Sequence, residues 1–239
     1  MISLQEISDT IKSKGKYWIV FTGDSITSCE WVHPNWREVI EYVLKEELSK
    51  FLKGDWKLSE WGIKAFNFGY DGATTKDILD KVSDINLVKP DLALGLMGVN
   101  DPSFKISVEA HVQNIKKIVE KLGTKVVWCT STPAGEGSKK NAEYEPYAKA
   151  VMQIPESENL QLIDVFNVYK QFPLEKFFTF KSEENPIEGI KEGEPDLVHP
   201  NQLGNAYIAK VILKEVFSIE FNPEKYWQDC LKGKKYPKY

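Results

Sequence analysis

Ser25 is the residue at which chemistry could begin in this chain. It stands in Gly23-Asp24-Ser25, directly after the run Tyr17-Trp18-Ile19-Val20-Phe21-Thr22. An aromatic, β-branched run of that length reads as a buried strand, and Gly, Asp and Ser after it read as a turn. A serine delivered by a strand end into a tight turn projects its hydroxyl outward, as a nucleophile must. Taken alone, the tripeptide reads better as the cap of a strand-to-helix turn than as a catalytic site. A serine hydroxyl is a poor nucleophile until a base takes its proton, so the histidines decide the matter. The chain has three: His33, His111 and His199. His111 falls in a helical pattern at 105–122, near its polar side, and reads as a surface or half-buried helix residue. His33 is close to Ser25 in sequence and could line a pocket, but no acidic residue is obviously placed to orient it. His199 is preceded by Asp196, a separation that brings two side chains together over one helical turn. Asp196 could accept from Nδ1–H, fix the tautomer and leave Nε2 to face Ser25. Asp196 could also be an N-cap ahead of Pro200, a role compatible with the first.

Acyl transfer further needs donors aimed at the developing oxyanion. The backbone N–H groups of Ser25 and Gly72 are candidates, since both lie in turns and glycine lets a backbone approach closely. Asn100 offers a side-chain amide, although an Asn ahead of Asp101 and Pro102 also suits bonding across its own turn.

These residues need elements to carry them. Trp36, Val39, Ile40, Val43, Leu44, Leu48 and Phe51 form one helical stripe, with Pro34 and Asn35 as start signals and Gly54 as a stop. Ile63–Phe68 reads as a strand emptying into the turn 69–75, followed by a helix through Ile78, Leu79 and Val82. Leu92–Met97 is continuously apolar, as expected for a strand buried on both faces, and ends at Gly98-Val99-Asn100-Asp101-Pro102. A helix carrying Val108, Val112, Ile115, Val119 and Leu122 closes at Gly123. Strand Lys125–Thr130, a helix near 143–153, strand Leu160–Val165 and a closing helix with Leu203, Tyr207, Val211 and Leu213 complete the pattern. Residues 176–195 read as a surface excursion. Strands alternating with helices imply right-handed βαβ units and a parallel sheet covered on both faces. Ligands bind such sheets at the carboxyl ends of the strands, and the turns 23–27, 69–75 and 98–102 all fall there.

Composition narrows the class. With 239 residues, 42% hydrophobic content and a formal net charge of -4, the chain can build a sizeable core, and it lacks the basic stripe of a nucleic-acid binder. Cys29, Cys129 and Cys230 are widely spaced, with no metal-binding pattern, and suit a reducing compartment. No apolar run approaches the ~20 residues that span a bilayer, and the N-terminus does not read as a signal peptide. The expectation is a cytoplasmic protein needing no metal or cofactor, with a main domain over 1–220 and an aromatic, basic tail over 221–239. A homo-oligomer is compatible with the chain.

Gly23-Asp24-Ser25, the glycine in 69–75, Gly98-Val99-Asn100-Asp101 and Asp196-Leu197-Val198-His199 occur in the order of the four blocks of SGNH (GDSL-type) hydrolases, and the chain resembles that family over roughly 17–213. The resemblance implies Ser25 as nucleophile, His199 as base, Asp196 as its partner, and an oxyanion hole from Ser25 N–H, Gly72 N–H and the Asn100 amide. It implies a flavodoxin-like α/β/α sandwich of three layers on a five-stranded parallel sheet, acting on acyl esters or thioesters without a metal. The second block departs from the family, with Asp71 where many members carry a small hydroxyl residue and with Gly69 competing with Gly72. Trp31 is a pocket candidate, while Trp36 fits the core stripe. The chain shows no long apolar lid, which favours a short-chain ester, such as acetyl, of a carbohydrate or other small alcohol. Acyl transfer to another acceptor, a lysophospholipase or thioesterase, and a non-catalytic binding module are the alternatives.

Overall fold

The computed structural model describes residues 1–28, 32–182 and 191–239 of the chain. Strand β1 (Tyr17–Gly23) is its centre. β1 pairs in parallel with β2 (Ile63–Gly69) on one side and with β3 (Leu92–Leu96) on the other. β4 (Lys125–Cys129) and β5 (Leu160–Ile163) continue the sheet beyond β3, giving the order β2-β1-β3-β4-β5. This is the doubly wound, flavodoxin-like order, whose switch point lies between β1 and β3.

The apolar runs are buried on both faces because helices cover both. Alternate side chains separate cleanly: Ile19 and Phe21 of β1 and Leu92, Leu94 and Leu96 of β3 join one core cluster, while Val20 and Ala93 join the other. The first cluster is closed by α1 (Leu4–Lys14), α2 (Trp36–Phe51), α7 (Val165–Tyr169) and α8 (Gln202–Phe217). The second is closed by α4 (Thr75–Asn86) and α5 (Val108–Leu122), with Val151 at the end of α6 (Lys140–Val151). Ile19, Val20 and Phe21 are each fully buried; burying such side chains stabilises by about 1.5–3 kcal/mol apiece.

The helix stripe expected at 36–51 holds, with Asn35 as N-cap in a capping box with Glu38. Phe51 is the exception: it is 45% exposed. Among the helices that the sequence pattern does not show are α1 and α3 (Trp56–Gly62). α1 buries only Ile7 and Ile11 among its apolar residues, and α3 has Trp56 and Trp61 in solvent, so neither shows a full stripe.

The last residues form α9 (Pro223–Leu231) and a return segment. Tyr42 of α2 lies 6.2 Å from the Tyr226 ring and 6.3 Å from that of Tyr239. Its hydroxyl donates to Pro237 O at 3.0 Å, and the Tyr239 hydroxyl donates to Glu47 at 2.7 Å. The tail therefore packs on α2. Within the excursion expected at 176–195, residues 183–190 lie outside the described residues. Among the described residues no helix is long and apolar enough to cross a membrane.

Candidate active site

The turn after β1 is built by its own backbone and by one acid. A Cβ on Gly23 would stand 2.1 Å from the Leu96 carbonyl oxygen, so only glycine lets β1 end against β3 there. The Asp24 carbonyl then accepts from Thr27 N–H and Ser28 N–H, each at 2.9 Å, and the chain turns at once. Thr27 Oγ1 donates to Leu96 O at 3.1 Å. Asp24 itself is fully buried, accepting Ile26 N–H at 3.1 Å and Gly98 N–H at 3.2 Å. Burial, opposed by these backbone donors and by His199, pushes its carboxyl up to about 6. Asp24 thus ties the turn that carries Ser25 to the loop after β3.

The turn presents Ser25 Oγ at 2.8 Å from His199 Nε2, and His199 Nδ1 at 2.6 Å from Asp196 Oδ2. A carboxylate can only accept, so Nδ1 carries the proton towards Asp196 and Nε2 accepts from the Ser25 hydroxyl. Ser25 and His199 are each 6% exposed and Asp196 4%. Burial works against the Asp196 charge, but the His199 hydrogen bond and charge and two backbone donors hold its carboxyl below the usual range.

The geometry behind this pair differs from the expected helical turn. Asp196 Oδ1 accepts Val198 N–H at 2.8 Å and His199 N–H at 3.1 Å, so the side chain folds its own backbone into a bend ahead of the helix. The N-cap of α8 is Asn201, not Asp196. The bend is anchored from outside by Asp196 N–H to Phe180 O and Gly135 N–H to Leu197 O.

Two further loops reach the same edge of the sheet. Gly72 is exposed in the turn after β2, with φ +71, a conformation L side chains adopt rarely. Gly69 is otherwise employed: its N–H donates to Asn67 at 2.8 Å, and a Cβ on it would meet Ser28 N at 2.4 Å. Asn100 does not bond across its own turn. Its Nδ2 donates to Ala73 O at 3.0 Å, which joins the loops after β2 and β3 and leaves the second amide hydrogen for another acceptor. Ser28 Oγ donates to Asp71 Oδ1 at 2.5 Å, fixing the carboxylate beside Gly72.

His33 is exposed, and its ring approaches Glu38 at 3.5 Å; that acidic neighbour, from the first turn of α2, is one the sequence did not single out. Trp31 and Cys29 lie outside the described residues. His111 departs most from expectation. It is 1% exposed rather than at the surface, with Nδ1 at 2.6 Å from the equally buried Asp101. A lone His within an otherwise ordinary helix stripe carries no sequence signal for this. Among the described residues, no group of three or more His, Cys, Asp or Glu side chains is arranged to hold a metal ion.

A model of the GDSL-like lipase/acylhydrolase family matches residues 21–207. Among solved structures, a lipase/acylhydrolase from Enterococcus faecalis matches with a TM-score of 0.63 at 22% identity, over 84% of this chain and 95% of that one. An acetyl xylan esterase, AlAXEase, matches with a TM-score of 0.61 at 20% identity, over 84% of this chain and 100% of that one. The acetylxylan esterase of Geobacillus stearothermophilus matches with a TM-score of 0.57 at 20% identity, over 87% and 95%. No curated protein sequence matches the chain at a significant level.

Proposed function

Because this chain belongs to the GDSL-like lipase/acylhydrolase family and is a carboxylic ester hydrolase, we propose that it hydrolyses a short acyl ester, acetyl foremost, of a carbohydrate or other small polar alcohol. The observation that carries the reading is the buried relay from Ser25 Oγ to His199 Nε2 at 2.8 Å and from His199 Nδ1 to Asp196 at 2.6 Å. His199 takes the Ser25 proton as Oγ attacks the ester carbonyl, and Asp196 stabilises the imidazolium that results. The tetrahedral oxyanion is met by the Ser25 and Gly72 N–H groups and by the Asn100 amide hydrogen not given to Ala73. His199 then protonates the departing alcohol, leaving the acyl group on Ser25. Water, deprotonated by the same imidazole, releases the acid.

The substrate class rests on weaker support. Two structural neighbours are named as acetylxylan esterases, and the sequence shows no long apolar run of the kind a lipase lid would use. A panel of esters varied in acyl length and in alcohol tests it: acetylated sugars should be turned over well and long-chain esters poorly, and the reverse order would overturn the assignment. Failure both to hydrolyse p-nitrophenyl acetate and to be labelled at Ser25 by a fluorophosphonate would overturn the enzyme reading itself.

A further inference from the structure

Behind the turn that carries Asn100 sits a second Asp–His pair that the proposed mechanism does not use. Asp101 is fully buried and accepts three hydrogen bonds. Thr75 N–H reaches Oδ1 at 2.9 Å, while the Thr75 hydroxyl reaches Oδ2 at 2.5 Å and His111 Nδ1 reaches it at 2.6 Å. Asn114 Nδ2 in turn donates to Thr75 Oγ1 at 3.1 Å. The His111 ring stands edge-on to Tyr147, centroids 5.2 Å apart, and the Tyr147 hydroxyl donates to Ile106 O at 2.6 Å. One carboxylate therefore gathers the first turn of α4, the loop after β3, and α5.

This cluster cannot handle substrate. Asp101 and Thr75 have no exposed surface and His111 has 1%. Nor does a buried hydrogen-bonded pair by itself add much to stability, since replacing both partners by apolar groups of the same shape can be nearly neutral or stabilising. Its position suggests another purpose. Asn100, the neighbour of Asp101, donates to Ala73 O, while Asp101 accepts from Thr75, two residues further on. Two hydrogen-bonded straps thus tie the loop after β3 to the segment 73–75, one to the end of the loop after β2 and one to the start of α4. Those loops bear Gly72 and Asn100, whose donors must sit at a fixed separation to meet one oxyanion.

We propose that Asp101 and His111 are positioning residues for the oxyanion hole: the Asp101 carboxylate clamps the start of α4 to the loop after β3, and His111 holds that carboxylate in place. The inference rests on Gly72 and Asn100 being the oxyanion donors. His111 contributes a donor at Nδ1 and a ring against Tyr147, and two substitutions separate them. His111→Phe keeps a ring and removes the donor. His111→Asn removes the ring and restores an N–H near the Nδ1 position. A positioning role gives His111→Phe a kcat lower by about 10- to 100-fold with KM little changed, as expected when reacting groups are misplaced, and gives His111→Asn most of the wild-type kcat.

The readouts are kcat and KM for p-nitrophenyl acetate, thermal midpoints, and the end-point of fluorophosphonate titration, which counts intact sites in each variant. Combining His111→Phe with Asn100→Ala should add little further loss, because both act on one donor. If kcat simply follows the thermal midpoints, or if His111→Phe keeps the wild-type kcat, the positioning role is overturned. If Asn100→Ala alone leaves kcat unchanged, it is the assignment of the oxyanion hole that fails instead.

Discussion

Asp196→Asn isolates the electrostatic part of the relay from its architecture. Asn keeps an oxygen where Oδ1 now accepts the Val198 and His199 N–H groups at 2.8 and 3.1 Å, so the bend should survive. At the Oδ2 position, 2.6 Å from His199 Nδ1, the amide brings N–H instead of a lone pair. His199 must then turn its Nδ1 lone pair to that amide, which moves the ring proton to Nε2 and removes the acceptor for the Ser25 hydroxyl. The imidazolium also loses its counter-charge. A pair of unit charges about 4 Å apart at an effective dielectric of about 20 is worth about 4 kcal/mol, or roughly 10³ in rate at 1.36 kcal/mol per decade. With the wrong tautomer added, kcat should fall on the order of 10⁴. The assay is steady-state hydrolysis of p-nitrophenyl acetate beside a thermal melt. A kcat within about tenfold of wild type, in a variant that melts normally, would refute the reasoning, because the carboxylate would then be only a structural tie.

Three other perturbations address the remaining parts of the site. Ser25→Ala should abolish turnover and fluorophosphonate labelling while leaving the denaturation midpoint near wild type; retained turnover would move the nucleophile elsewhere, with Cys29 the next residue to test. Asn100→Ala should cost on the order of 10²–10³ in kcat; a change confined to KM would assign the amide to substrate binding. Asp24 has a folded-state value of about 6 against an ordinary 3.8, so the native state binds more protons than the unfolded chain between those limits. Its contribution to stability is present below about pH 3.8 and is lost as pH rises through 6, for a total of about 3 kcal/mol. Urea denaturation at pH 4 and pH 7 should therefore show wild type losing about 2 kcal/mol relative to Asp24→Asn, the rest of the loss falling below pH 4, and a constant difference between the two proteins would argue against the shift.

Residue order alone was enough to read a parallel sheet and the edge on which the candidate site residues gather. The runs at 17–22, 63–68 and 92–97 each end in polar turns, and a parallel sheet puts all such ends on one side. Ser25, Asn100 and the Asp196–His199 pair stood out in the sequence as candidates for the same reason: each lies at or beside a strand end or helix start, on the side of the sheet where ligands bind. The tertiary structure decided what depended on contacts between distant segments. That Asp196 folds its own backbone into a bend, that Asn100 reaches across to Ala73, and that the Asp24 carboxylate binds Gly98 are pairings over loops whose separation no periodicity encodes. His111 is the sharpest case, because burial beside Asp101 and Thr75 is set by how α4 and α5 pack on the sheet. A polar residue in one helix carries no record of the acid waiting for it in the loop of another strand.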